Sequence, residues 1–143
     1  SAVAGRTGAE RERVQERLQN LKTGDLETNI ELALERWFSP EFRQNHPERV
    51  QKRIAELRAT SPAGYFQAYR VFVLSDLAEH LSQIQCETLV MTGEHDPGSN
   101  VRMARLMHEA IPNSKLDILT NLRHSILVES PQLIAEKLDS FLR

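Results

Sequence analysis

Between residues 9 and 75 the apolar positions recur at spacings of three and four, the period of helices that bury one face. Val14, Leu18 and Leu21 form one stripe, which Thr23-Gly24 ends. Leu26, Ile30, Ala33, Leu34 and Trp37 form the next, up to Ser39-Pro40, where an N-cap and a proline at the first helical position start a further short piece. Val50, Ile54 and Leu57 give a third stripe. After the same punctuation at Ser61-Pro62, Tyr65, Phe66, Tyr69 and Val73 give a fourth. Arginine and glutamate fill the other faces, so each predicted helix is amphipathic and has to lie on something.

From about residue 84 the period changes. Thr88-Leu89-Val90-Met91-Thr92 is a β-branched and apolar run ended by Gly93, the pattern of a buried strand closing at a turn. A helix over 100–110, a strand over 116–119 and a helix over 131–142 follow, the last opened by Ser130-Pro131. Two strands joined by a helix make the crossover unit of a parallel sheet. Such sheets usually have several strands and bury their edges, so two strands read as the end of a larger fold. The predicted organisation is a helical region over 1–80 and a βαβα region over 81–143.

Composition adds exclusions. The chain has 143 residues, 40% of them hydrophobic, and a formal charge of −2 without a basic block, so it carries no electrostatic footprint for nucleic acid. No stretch approaches the roughly 18 apolar residues of a membrane span, and no signal-peptide pattern opens the chain. The single cysteine, Cys86, rules out an internal disulfide and fits a reducing compartment, which makes the cytoplasm the expected location.

The chemistry concentrates after the two strands. Asp96 follows the first and His124 the second. Neighbouring parallel strands bring both to the carboxyl edge of the sheet, where open α/β folds bind ligands. A carboxylate bonded to one imidazole nitrogen fixes the tautomer and leaves the other nitrogen as a general base. His95 invites a metal reading with His124, but no H-x-x-x-H or cysteine cluster accompanies it, and it reads as a loop side chain. No cofactor or metal is predicted. His46, His80 and His108 lie among charged residues and read as solvated. Glu129 reads as support for the loop after His124 or as the beginning of the last helix's cap.

An acid followed by a histidine near the end of a chain is what remains of the serine, acid, histidine order of the α/β-hydrolases. "LVMTGEHDPGSN" and "AIPNSKLDILTNLRHSILVESPQLIAEKLDSFL" resemble the C-terminal part of that fold. "RWFSPEFRQNHPERV" and "ATSPAGYFQAYRVFVLSDLAEHLSQI" resemble its helical cap, most similar to 3-oxoadipate enol-lactonase and its relatives. The resemblance implies an α/β class, with a cap and the last two parallel strands of the hydrolase fold. It also implies catalytic roles for Asp96, in the G-x-x-D turn, and His124. Trp37 packs within the cap or, by the resemblance, lines the substrate pocket; Arg36 and Arg70 are the cations considered for a substrate carboxylate. Family members commonly have proline in place of Glu87 and Asn100, and a small residue in place of Arg123.

No serine here sits in a G-x-S-x-G elbow; Ser99 follows Gly98 but has Pro97 and Val101 two residues to either side. Nucleophile and oxyanion donors are both N-terminal in the family. The chain is therefore expected to begin just after the sixth strand, to be inert alone, and to require the N-terminal hydrolase segment or self-association. Its expected substrate is a small ester or lactone. Two alternatives remain open: a dehalogenase or epoxide hydrolase, whose nucleophile is an aspartate at the same elbow, and a non-catalytic binding or dimerisation module.

Overall fold

A computed structural model of the chain describes residues 3–23 and 26–143. Five helices come first: α1 (Gly8–Thr23), α2 (Leu26–Trp37), α3 (Pro40–Asn45), α4 (Pro47–Ala59) and α5 (Pro62–Leu74). Of the break expected at Thr23-Gly24, Gly24 lies outside the described residues. Two of the Ser-Pro pairs, Ser39-Pro40 and Ser61-Pro62, open helices in the way their chemistry predicts. Ser39 Oγ accepts a hydrogen bond from the Phe42 N–H (3.1 Å), and Ser61 Oγ from the Gly64 N–H (3.3 Å). At the head of α1, Thr7 and Glu10 form a reciprocal capping box. The Thr7 N–H donates to Glu10 Oε2 (2.7 Å), and the Glu10 N–H to Thr7 Oγ1 (3.3 Å).

A 3₁₀ helix (Ala78–Gln83) leads to β1 (Thr88–Gly93), α6 (Val101–Ala110), β2 (Ser114–Leu119), α7 (Ile126–Glu129) and α8 (Pro131–Leu142). The two strands pair in parallel, from Thr88 opposite Ser114 to Gly93 opposite Leu119, and α6 packs on both. β2 begins two residues before its apolar run, because the ladder is set by backbone pairing and not by hydrophobicity: the Thr88 N–H already donates to the Asn113 carbonyl (2.9 Å). The 3₁₀ helix and α7 are too short to show a period in the sequence. α8 does start at Pro131, but the Ser130 side chain makes no capping bond, so the proline alone marks that start.

Two apolar clusters hold these parts together. One gathers Val90 of β1, Met103, Ala104 and Met107 of α6, and Val3 and Ala4 from the described N-terminal end. The other joins Ile30 of α2, Phe38, Phe42 of α3, and Val50 and Ile54 of α4. Glu10 links α1 to the head of α6, accepting from Asn100 Nδ2 (2.8 Å) and facing Arg102 Nη2 at 2.5 Å. Asn100 also caps α6 through its side-chain oxygen to the Met103 N–H (3.1 Å), which accounts for an asparagine at that helix head. Among the described residues no helix is long and apolar enough to cross a membrane.

Candidate active site

β1 ends in a loop wrapped around a carboxylate. Asp96 is 6% exposed, and its Oδ1 accepts from the N–H groups of Gly98 (2.7 Å) and Ser99 (3.1 Å). Thr92 Oγ1 closes the turn from the strand side by donating to the Ser99 carbonyl (2.6 Å). The Asp-Pro-Gly sequence favours such a turn, and here the turn serves to fix the acid.

The other oxygen, Asp96 Oδ2, lies 2.7 Å from His124 Nδ1. An ionised carboxylate only accepts, so this bond places a proton on Nδ1, and any lone pair on the ring is then on Nε2. Burial by itself would push the Asp96 carboxyl up. The hydrogen bond from His124, the charge of that ring and the two backbone N–H groups outweigh it, and the carboxyl is held below its ordinary range.

His124 is positioned from three directions. Its own N–H reaches the Arg36 carbonyl (3.4 Å), and the Ser125 N–H donates to the Trp37 carbonyl (2.9 Å), so the end of α2 carries the loop. Glu129 of α7 accepts from the Arg123 N–H through Oε1 (2.9 Å) and from the Ser39 N–H through Oε2 (2.9 Å). It therefore ties the residue before His124 to the N-cap of α3. The Arg123 guanidinium adds a bond to the Glu35 carbonyl. From the sheet side, the His95 N–H donates to the Leu122 carbonyl (2.9 Å).

The pair opens on a cavity of about 870 Å³, whose walls include Trp37, Arg53, Met91, Leu127 and Leu138 as well as Asp96 and His124. Neither arginine singled out from the sequence is on that wall. Arg70 is exposed on α5, and Arg36 faces a different cavity. Among the described residues the cation that does reach it is Arg53 of α4, whose guanidinium lies over the Trp37 ring at 5.3 Å and pairs with Glu56 (2.8 Å). In sequence Arg53 is one of several charges on the polar face of α4, and nothing local separates it from its neighbours. His95 stands apart from the pair, its Nε2 3.9 Å from Glu94 Oε2. Among the described residues no three histidine, cysteine, aspartate or glutamate side chains group as metal ligands would.

No family model matches the chain. It is 34% identical, over 99% of its own length, to (E)-2-((N-methylformamido)methylene)succinate hydrolase of Acinetobacter baylyi, of which it covers 53%. It is 29% identical over 90% of its length to 3-oxoadipate enol-lactonase 2 of the same organism, covering 48% of that protein. The chain thus spans about half the length of these curated relatives. Its fold superposes on the enol-lactonase from Burkholderia xenovorans LB400 with a TM-score of 0.85 and 21% identity, covering 92% of this chain and 50% of that one. Helices followed by a parallel βαβα unit, a relative one-third identical along nearly the whole chain and this shared fold lead to one conclusion: the chain belongs to the α/β-hydrolases and carries the C-terminal part of their fold.

Proposed function

We propose that this chain supplies the acid and base of a hydrolase site acting on a small carboxylic ester or lactone. His124 is the general base and Asp96 its orienting acid. The observation that carries the reading is the 2.7 Å bond between His124 Nδ1 and the buried Asp96 Oδ2. In such a site Nε2 takes the proton of the attacking hydroxyl as it adds to the carbonyl, the imidazolium is stabilised by Asp96, and the same proton passes to the leaving oxygen. Trp37 forms a substrate-facing wall and α1 to α5 act as the cap. The names of the two curated relatives, an enol-lactonase and a hydrolase of a substituted methylenesuccinate, support a small organic substrate.

The nucleophile in this proposal is carried outside the 143 residues, since none of their serines has the G-x-S-x-G context. The partner is a hydrolase segment bearing that elbow and the oxyanion donors, or a second chain that covers the same surface.

The test is turnover of p-nitrophenyl acetate and of an enol-lactone by the chain alone and after fusion to, or co-expression with, an elbow-bearing N-terminal segment. Turnover is expected only in the second case. There His124→Ala should abolish it, and Asp96→Asn should reduce it by about 10⁴-fold through the wrong tautomer. Turnover by the isolated chain that is lost in His124→Ala would place the nucleophile within these residues and overturn the proposal.

A further inference from the structure

A second cavity, of about 530 Å³, lies among α1, α2, α4 and the start of α5. Arg36 lines it, while the next residue, Trp37, lines the cavity of His124, so the two spaces meet different faces of α2. Among the described residues its charge is one-sided: Arg13, Arg17, Lys22, Arg36 and Arg58 stand on the wall against a single carboxylate, Glu16.

Of these cations, Arg58 is engaged by Glu27 at 2.5 Å. Arg17 and Arg36 are both partly buried, and among the described residues neither forms an ion pair, although the charge of Glu35 is felt at Arg36. Arg17 Nη1 donates to the Tyr69 hydroxyl (3.2 Å) and Arg36 Nη1 to the Leu32 carbonyl (2.6 Å). A guanidinium has five N–H donors, so most of both forks remains for another acceptor. Burial, and after it the charge of Arg17, pushes the Arg36 guanidinium below its ordinary value. Two like charges drawn partly out of water, with more cations than carboxylates around them among the described residues, are unfavourable, and an anion between them lowers that cost.

The rest of the wall determines which anion fits. Leu21, Ile30, Ala33 and Leu57 give the cavity an apolar side, and its volume is in the range of small-molecule sites. Inorganic phosphate would meet the guanidinium forks and leave that side uncovered. A carboxylate on an apolar body meets both, with the planar fork matching the carboxylate. We propose that the Arg17–Arg36 cavity is a binding site for a small organic carboxylate with an apolar body, separate from the Asp96–His124 site. The proposal does not depend on the hydrolase reading.

The experiment is titration calorimetry of the protein with phenylacetate, 2-phenylethanol and inorganic phosphate. Saturable binding of one phenylacetate per chain is expected, with the other two weaker by about tenfold or more, as loss of a charged hydrogen bond or of the apolar contact predicts. Arg17→Met and Arg36→Met should each weaken phenylacetate by about tenfold or more, and Arg70→Met, outside the cavity, should leave it unchanged. Undiminished binding in both methionine variants, equal binding of the alcohol or of phosphate, or no saturable binding to the wild type would each overturn the proposal. Should a methionine variant lose its cooperative melt, side-chain resonances of the wild type decide. Phenylacetate is expected to shift the Arg17 and Arg36 Nε–H signals, and shifts confined to Trp37 and His124 would place the ligand in the other cavity.

Discussion

Gly93, the last residue of β1, sits so close beneath the loop before His124 that a β-carbon there would stand 2.5 Å from the Leu122 carbonyl oxygen and closer still to that of Arg123. The loops after the two strands touch backbone to backbone, and only hydrogen fits between them. The obstacle is main chain, which has no rotamer by which to move aside. Gly93→Ala is therefore expected to destabilise the fold by about 1–3 kcal/mol or more. It should also change the His124 ring resonances, since the loop must shift. Urea denaturation and histidine NMR check this together; an unchanged midpoint with unchanged His124 signals would contradict it.

Asp96 makes stability depend on acid. Its folded carboxyl is held below the ordinary range, so its contribution is fully present above the unfolded value of about 3.9 and is lost as pH falls through the folded one. Urea midpoints measured from neutral pH downward should fall more steeply below about pH 4 in the wild type than in Asp96→Asn. At neutral pH the variant should be the less stable. Parallel curves would mean that the bond to His124 does not hold in solution.

Glu10 is the second acid with a strong pull on it. Burial raises its pKa, but the Thr7 N–H, the Asn100 amide, the Thr7 hydroxyl and the Arg102 charge lower it to about 2. Its stabilisation is present above the ordinary glutamate value and fades from there down to about 2. Glu10→Gln should cost about 1.5–3 kcal/mol at neutral pH, the range for hydrogen bonds to a charged group. A double-mutant cycle with Arg102→Met should show coupling, and strict additivity would separate α1 from the head of α6.

Glu129 acts on His124 through Arg123 and Ser39. Removing its carboxylate leaves two backbone N–H groups without their acceptors. If His124 is the base as proposed, Glu129→Ala in the reconstituted hydrolase is expected to lower kcat with little change in KM, because His124 is displaced and the cavity walls are kept. Glu129→Gln, which retains one acceptor oxygen, should recover part of the rate. A rise in KM alone would assign Glu129 to substrate binding instead.

Among the described residues β1 has one neighbour in its sheet, β2. The cavity along β1 is flanked by the exposed apolar side chains Leu77, Leu127 and Leu138. Edges and patches of this kind recruit partners. Light scattering of the isolated chain should report a dimer or larger species that gives way to a heterodimer when an elbow-bearing hydrolase segment is added. A compact monomer at high concentration would refute self-association.

The sequence by itself determined whatever depends on neighbours along the chain. The apolar stripes, the Ser39-Pro40 and Ser61-Pro62 helix starts, the run into Gly93 and the strand–helix–strand order are local patterns with local causes, and the structure has the corresponding helices and strands. The Thr7 and Glu10 capping box is also a local, four-residue signature, though it was not among the features singled out from the sequence. Asp96 and His124 stood out because both follow strands, and parallel pairing carries two strand ends to the same edge. Tertiary structure alone decided the rest. Arg53 reaches the cavity of His124, and Arg36 faces away from it, because α4 packs against α2 with Val50 and Ile54 in one cluster with Ile30, and no periodicity encodes that relative rotation. The bridging by Glu129 joins Ser39 to Arg123 across 84 positions of sequence. Contacts of that length are set by how helices and loops stack, and a single chain of letters records only their ends.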